Sequence, residues 1–232
     1  LNSESIVEMI QTNNRYLGTV IPIKYEDLIK TYVGGKEDIH LPALIVTNNK
    51  NSDDSEHLKT TEIESEIILD GTALFKEDKL VGFLNSTEST YLTFFKNKIN
   101  VTIITPKCDS SNYMSVEVLK SKTKIGIKNN NMTISVKGNA IITEVSCQLS
   151  TNKYDDIKKI ENIVNLEIKN GIYDLIDKTT NNYKTDVIGY RSLYYKYNNK
   201  FYQKNKDNLN INYIVKVDIK IKEKGDILKV TK

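Results

Sequence analysis

A chain of 232 residues can bury roughly 70 to 75% of its unfolded surface without staples, and it contains no apolar run near the ~18 residues that suggest a membrane span. Its 33 basic and 30 acidic residues leave a net charge of +3, a near balance that argues against a polymer-binding chain and so against nucleic acid as a partner. The sequence starts at Leu1 with neither a basic nor an apolar leader, which reads as a processed protein or an excised fragment.

In chain order, Ser3 or Ser5 is expected to cap a first helix through Ile6, Val7, Met9 and Ile10, with Glu8 in its first turns and an end near Asn13-Asn14. Tyr25, Leu28, Ile29, Tyr32 and Val33 recur at helical spacing, and Gly34-Gly35 supplies a stop. Leu41 to Thr47 reads as a strand, and the polar stretch Asn48 to Lys59 as a loop. From Glu66 to Glu88, Ile67, Leu69, Ala73 and Phe75 alternate with more polar neighbours before the short apolar run Leu80 to Leu84. This predicts a β-hairpin closed at Lys76-Glu77-Asp78-Lys79. A turn at Asp70-Gly71 would leave too short a following strand, so Gly71 is expected to be a bulge. Asn85 or Ser86 with Glu88 forms an approximate capping box for a helix that carries Tyr91, Leu92, Phe94 and Phe95 onto the hairpin.

The second half alternates more cleanly. Val101 and Ile103, then Met114, Val116 and Val118, then Met132, Ile134, Val136, Ala140 and Ile142 predict half-buried antiparallel strands, with Asn129-Asn130-Asn131 at a turn. Ile157, Ile160, Val164, Ile168, Ile172 and Leu175 form one helical stripe between Asp156 and Asp177, leaving Lys158, Glu161, Asn165 and Lys169 for the surface. A second helix is expected from Thr185 to about Lys204, burying Tyr190, Leu193, Tyr194, Tyr197 and Phe201. Ile188, Tyr195 and Tyr202 fall on another face, covered by the preceding helix or exposed as an aromatic patch for a partner. Ile211 to Lys222 is the most regular strand. The expected fold class is α+β in two domains, each a mostly antiparallel sheet covered by helices on one face. Residues 1–98 form a small α+β domain with the Glu66–Glu88 hairpin; residues 99–232 form an antiparallel sheet with two long helices before the last strand.

Residues for chemistry are sparse. His40 beside a Leu-Pro strand start and His57 in the acidic loop read as structural or solvated, and there is no CxxC, GxSxG or HExxH pattern. Gly34-Gly35-Lys36 lacks the earlier Gly and the following Ser or Thr of a phosphate loop. Asp53, Asp54 and Glu56 lack the ligand spacing of a calcium loop. No catalytic, cofactor-binding or metal-binding residue is assigned, and no cofactor is expected. Cys108 and Cys147 have no framework around them and are expected to remain thiols, although an extracytoplasmic protein could pair them.

Two stretches resemble one family. Gly71, Phe75, Lys79, Leu80, Val81, Gly82, Asn85 and Glu88 follow the order and spacing of the motif near the start of the C-terminal region of spore germinant-receptor C subunits, the Ger(x)C lipoproteins. Asp186, Gly189 and, after the last strand's alternation, Gly225 are similar to that family's closing segment. Phe83 stands where the family often has Trp, Arg191 where a second Gly is usual, and no Trp follows the closing helix. The resemblance implies a non-catalytic, lipid-anchored subunit on the outer face of the spore inner membrane. Such a subunit works with integral-membrane A-type and B-type subunits in assembly or signal coupling when nutrient germinants are sensed. The signal, lipidated Cys and N-terminal domain of such lipoproteins are not recognisable in this chain. The alternatives are an extracytoplasmic small-ligand binder, marked by a deep apolar pocket, and a soluble enzyme with a carboxylate-based site.

Overall fold

Gly71 sets the course of the first sheet. It adopts φ +73°, and an added Cβ would overlap the carbonyl oxygen of Leu84, so only glycine fits this backbone. The computed structural model describes residues 3–47, 66–206 and 209–228; the expected loop Asn48 to Lys59, with His57, Asp53, Asp54 and Glu56, lies outside the described residues. Strands β1 (His40–Thr47), β2 (Glu66–Lys76) and β3 (Lys79–Leu84) make an antiparallel sheet in that order. Pro42 pairs with Thr72 and Leu44 with Leu69, so Asp70 and Gly71 together face the single residue Ala43. This is the expected bulge, and it lets one strand run through to Lys76. Lys76 pairs with Lys79, and Glu77 at φ 56° takes the left-handed position of the tight turn.

Helix α1 (Ser3–Tyr16) runs past the expected stop at Asn13-Asn14, because Asn13 still accepts from the Leu17 and Gly18 amides before Gly18, at φ 64°, turns the chain. Helix α2 (Tyr25–Gly34) ends on left-handed Gly35. After β3, α3 (Ser86–Phe95) buries Tyr91, Leu92, Phe94 and Phe95.

The second sheet has the order β4-β5-β6-β7. In it, β4 (Val101–Ile104), β5 (Met114–Lys128) and β6 (Asn131–Val145) are antiparallel neighbours. Asn129 and Asn130, at φ 49° and 63°, form the two-residue turn between β5 and β6, the conformation that matches strand twist. The last strand, β7 (Asn212–Leu228), departs from the antiparallel expectation: it runs parallel to β6. A parallel neighbour needs a long crossover. The chain supplies one with α4 (Tyr154–Asp177), a π-helical turn (Lys178–Asn182), α5 (Tyr190–Tyr197) and α6 (Asn199–Asn205).

The expected single closing helix is therefore two short ones. Asn198, at φ −148° and ψ 65°, leaves helical geometry and caps α6 by accepting from the Phe201 amide. Tyr197, assigned to the core by spacing, is exposed in consequence.

The stripe Ile160, Val164, Ile168, Ile172 and Leu175 of α4 is buried on the inward row of β6 and β7, and each such side chain contributes roughly 1.5 to 3 kcal/mol. One buried cluster runs from Leu74, Leu84, Phe94 and Phe95 through this layer to Val215 and Ile219. Gly171 lets α4 approach α3, since a Cβ there would overlap the Tyr91 ring. Glu161 and Asn165, expected on the surface, instead serve the edge strand. Glu161 accepts from the Ile221 amide at 3.1 Å, Asn165 from Ile219 at 2.7 Å, and the Tyr173 hydroxyl from Val215 at 3.2 Å. One helix thus satisfies outward amides that would otherwise be free to pair with another chain.

Cys108 and Cys147 are joined as a disulfide with Cα atoms 6.3 Å apart, which overturns the expectation of free thiols. The Cys108–Tyr113 loop folds back on the end of β6, where Tyr113 exchanges bonds with Ser146 at 2.8 and 2.9 Å. That packing places two cysteines distant in sequence within bridging range.

Candidate functional site: the seam between the hairpin and the closing segment

Gly82, Asn85 and Glu88 of the first motif and Asp186 and Gly189 of the second line a seam that follows the chain from 178 to 191. At its start, Asn85 accepts from the Glu88 amide and Glu88 from the Asn85 amide, both at 2.9 Å, completing the capping box. Glu88 also receives Lys178 from the start of the π-helical turn after α4, at 2.6 and 2.7 Å, so one carboxylate both starts α3 and holds the crossover. Gly82 lies flat beneath the ring of Tyr183, where a Cβ would overlap the aromatic carbons, and the Tyr183 hydroxyl donates to the Phe83 carbonyl at 3.2 Å. A cleft of about 590 Å³ opens beside these residues, lined by Glu88, Tyr91, Glu167, Asp174 and Lys178 among others. Glu167 accepts from the Tyr91 hydroxyl at 2.9 Å, and burial together with Glu167 pushes that phenol above its ordinary range.

Asp186 is the centre of the seam's other half and is 1% exposed. Its carboxylate accepts from the Tyr190 amide at 2.7 Å, the Arg191 amide at 2.8 Å and Arg191 Nε at 3.1 Å, which opens α5 on left-handed Gly189. Arg191 reaches on to Asp38 at 2.8 Å. Glu37 forms an ion pair with Lys96 and sits so close to Gly189 that a Cβ there would stand 2.6 Å from its Oε2. Burial pushes the Asp186 carboxyl up to about 7, against the pull of the Arg191 and Tyr190 amides and the guanidinium. His40, beside this cluster on β1, has a buried Nε2 without a partner, and burial, with Lys96 nearby, lowers it to about 3, so it is neutral. A second cleft of about 580 Å³, with Tyr32, Asp38, Lys76 and Arg191 in its wall, faces solvent here.

Sequence reading missed Glu37, Asp38 and Lys96, which carry no local signal, and met Arg191 only as a departure from the family pattern. Of the motif residues, Phe75 is half-buried, Lys79 and Leu80 are exposed at the hairpin tip, Val81 is a one-residue bulge opposite the Leu74-Phe75 step, and Gly225 lies in β7 away from the seam. The expected patch is incomplete: Ile188 precedes α5 and is 2% exposed in the core, so helical spacing does not apply to it. Tyr195 and Tyr202 do meet at the surface, rings edge-on with centroids 5.6 Å apart, and Lys36 lies 4.5 Å from the Tyr195 ring centre. Among the described residues, no three His, Cys, Asp or Glu side chains converge to hold a metal, and no helix is long and apolar enough to cross a membrane.

The spore germination protein B3 of Bacillus subtilis (strain 168) is 32% identical over 127 residues, 51% of this chain and 33% of that protein. The spore germination protein KC of the same organism is 24% identical over 229 residues, 95% of this chain and 56% of that protein. The chain thus spans a third to just over half the length of these curated relatives. The crystal structure of the GerBC protein has the same fold, with a TM-score of 0.63 and 24% identity over 87% of this chain and 61% of that one. Residues 70–225, which contain both motifs but not the Glu37, Asp38 and His40 side of the seam, match the family model described as spore germination B3/GerAC like, C-terminal, and the chain belongs to that family of spore germination proteins.

Proposed function

We propose that the chain is the C-terminal part of a non-catalytic lipoprotein subunit of a spore nutrient-germinant receptor. It sits on the outer face of the spore inner membrane and supports assembly with, or coupling to, integral-membrane A-type and B-type subunits. The observation that carries this reading is how the motif residues are used. Asn85, Glu88, Gly71, Gly82, Asp186 and Gly189 cap helices, bear close backbone approach or fill ion pairs. A motif spent on rigidity presents surfaces to partners, and turnover would need groups left free to transfer protons. Family membership and the names of the relatives support the spore setting. The test is genetic: spores lacking this protein are expected to lose germination to a nutrient that wild-type spores answer, with recovery from a second copy. Undiminished germination to every nutrient tested contradicts the reading.

A further inference from the structure

The near-neutral net charge of the chain conceals a strongly one-signed surface. Residues paired across a sheet share a face, and the inward row of the second sheet, with Ile134 opposite Ile125 and Val215 and Val136 opposite Thr123 and Val217, lies in or against the core. The outward row between them carries Lys122, Lys124 and Lys128 from β5, Lys137 from β6, and Lys216 and Lys222 from β7, all exposed. Lys122 stands directly opposite Lys137, and Ser135 is flanked by Lys124 on one side and Lys216 on the other. Strands are about 4.8 Å apart and opposed Cβ atoms about 5 Å apart, so these ammonium groups repel one another. Relief is partial: Asp218 of β7 stands opposite Lys137 and is held below its ordinary value mainly by Lys220 and in part by Lys137, whereas Lys122 faces another lysine and Lys124 and Lys216 both face Ser135. No described carboxylate forms an ion pair with Lys122, Lys124, Lys128, Lys137 or Lys216; Asp218, the acid in the middle of the face, is taken by Lys220 at 2.9 Å. Glu117 lies at the far end, beside β4. Ile214, 52% exposed, lies beside the lysines on the same outward row, while Ile103, 51% exposed, is paired with Glu117 at the far end.

We propose that this outward face of the second sheet is a docking surface for an anionic lipid bilayer. A flat array of lysines suits a surface of mobile phosphate headgroups, which can neutralise many point charges at once without fixed geometry. The exposed Ile214 adds apolar contact at the interface. An acidic protein fits less well, since protein interfaces favour arginine and exclude lysine from their cores. The inference stands on the charge pattern alone, so it survives if the receptor reading fails and can fail while that reading holds.

The test is sedimentation of this chain with vesicles of equal parts phosphatidylglycerol and phosphatidylcholine, against phosphatidylcholine alone. Each lysine near an anionic surface contributes roughly fivefold to binding. A variant with Lys122→Gln, Lys124→Gln, Lys137→Gln and Lys216→Gln is therefore expected to lose on the order of a hundredfold or more. A control with Lys24→Gln, Lys30→Gln, Lys98→Gln and Lys153→Gln, of identical charge but off the face, is expected to lose far less. Wild-type binding is expected to fall with added salt and to vanish on phosphatidylcholine. Thermal midpoints establish that both variants are folded; should the first set not fold, Lys124→Glu and Lys216→Glu singly give the same comparison. Equal losses in the two sets, or no wild-type binding to anionic vesicles at low salt, overturn the proposal. So does retention on polyglutamate through these lysines with the vesicles ignored, which assigns the face to an acidic protein.

Discussion

Asp38 and Asp186 are bonded in both directions across 148 positions of sequence: the Asp186 amide donates to Asp38 Oδ2 at 2.6 Å, and the Asp38 amide to the Asp186 carbonyl oxygen at 3.1 Å. This reciprocal pair ties the segment before β1 to the segment before α5. Arg191 then spans both carboxylates.

The Asp186 carboxyl gives the seam a pH signature. Its folded value of about 7 lies above the ordinary 3.8, so between those values the folded state holds a proton that the unfolded state has lost. Stability from this group is full below the unfolded value and is lost as pH rises toward the folded one. Urea midpoints measured across that window should decline with rising pH in the wild type more steeply than in Asp186→Asn. Parallel slopes for the two proteins would contradict the assignment.

Gly71 and Gly35 both hold positive φ, but only Gly71 is crowded, with open space beyond Gly35. Gly35→Ala should cost about 1 kcal/mol, the conformational term alone. Gly71→Val should exceed the roughly 1 to 3 kcal/mol of backbone strain, because the Leu84 carbonyl must also move. Denaturant midpoints compare them, and equal effects would remove the bulge argument.

The disulfide closes a loop with a sequence separation of 39, for which chain entropy gives roughly 4 kcal/mol. Thiol titration of the oxidised protein under denaturant should find none, and reduction or Cys147→Ser should lower the thermal midpoint markedly. Two titratable thiols in protein oxidised by a disulfide reagent would refute the pairing.

Tyr195 and Tyr202 can now be separated from Ile188. Tyr195→Ala with Tyr202→Ala removes an edge-on surface pair worth about 0.5 to 1.5 kcal/mol beyond its contact area. Ile188→Ala, in the core, should cost about 2 to 5 kcal/mol. A double tyrosine variant less stable than Ile188→Ala would place those rings in the packing after all.

What the sequence made legible was local or periodic. The Gly71 bulge, the Asn85–Glu88 box, the α4 stripe and the alternation of β7 each express one physical preference over adjacent residues, and each is present. What it hid depends on distant partners. Alternation in β7 fixes which side chains face inward but not the direction of its neighbour, so the parallel pairing with β6 was invisible. Glu161 and Asn165 read as surface residues because their partners are backbone amides 60 and 54 positions away. Arg191 looked like a departure from a motif, and only the fold brings Asp38 to it. The lysine face was in view strand by strand, yet its density appears only when register sets the strands side by side.

The receptor-subunit reading is tested most directly by purifying the full-length protein from detergent-solubilised spore inner membranes after cross-linking. It is expected to co-elute with integral-membrane A-type and B-type subunits, with cross-links from those partners mapping to exposed positions around Tyr195 and Tyr202. Elution of the protein free of any membrane subunit, from membranes in which those subunits are present, would contradict it.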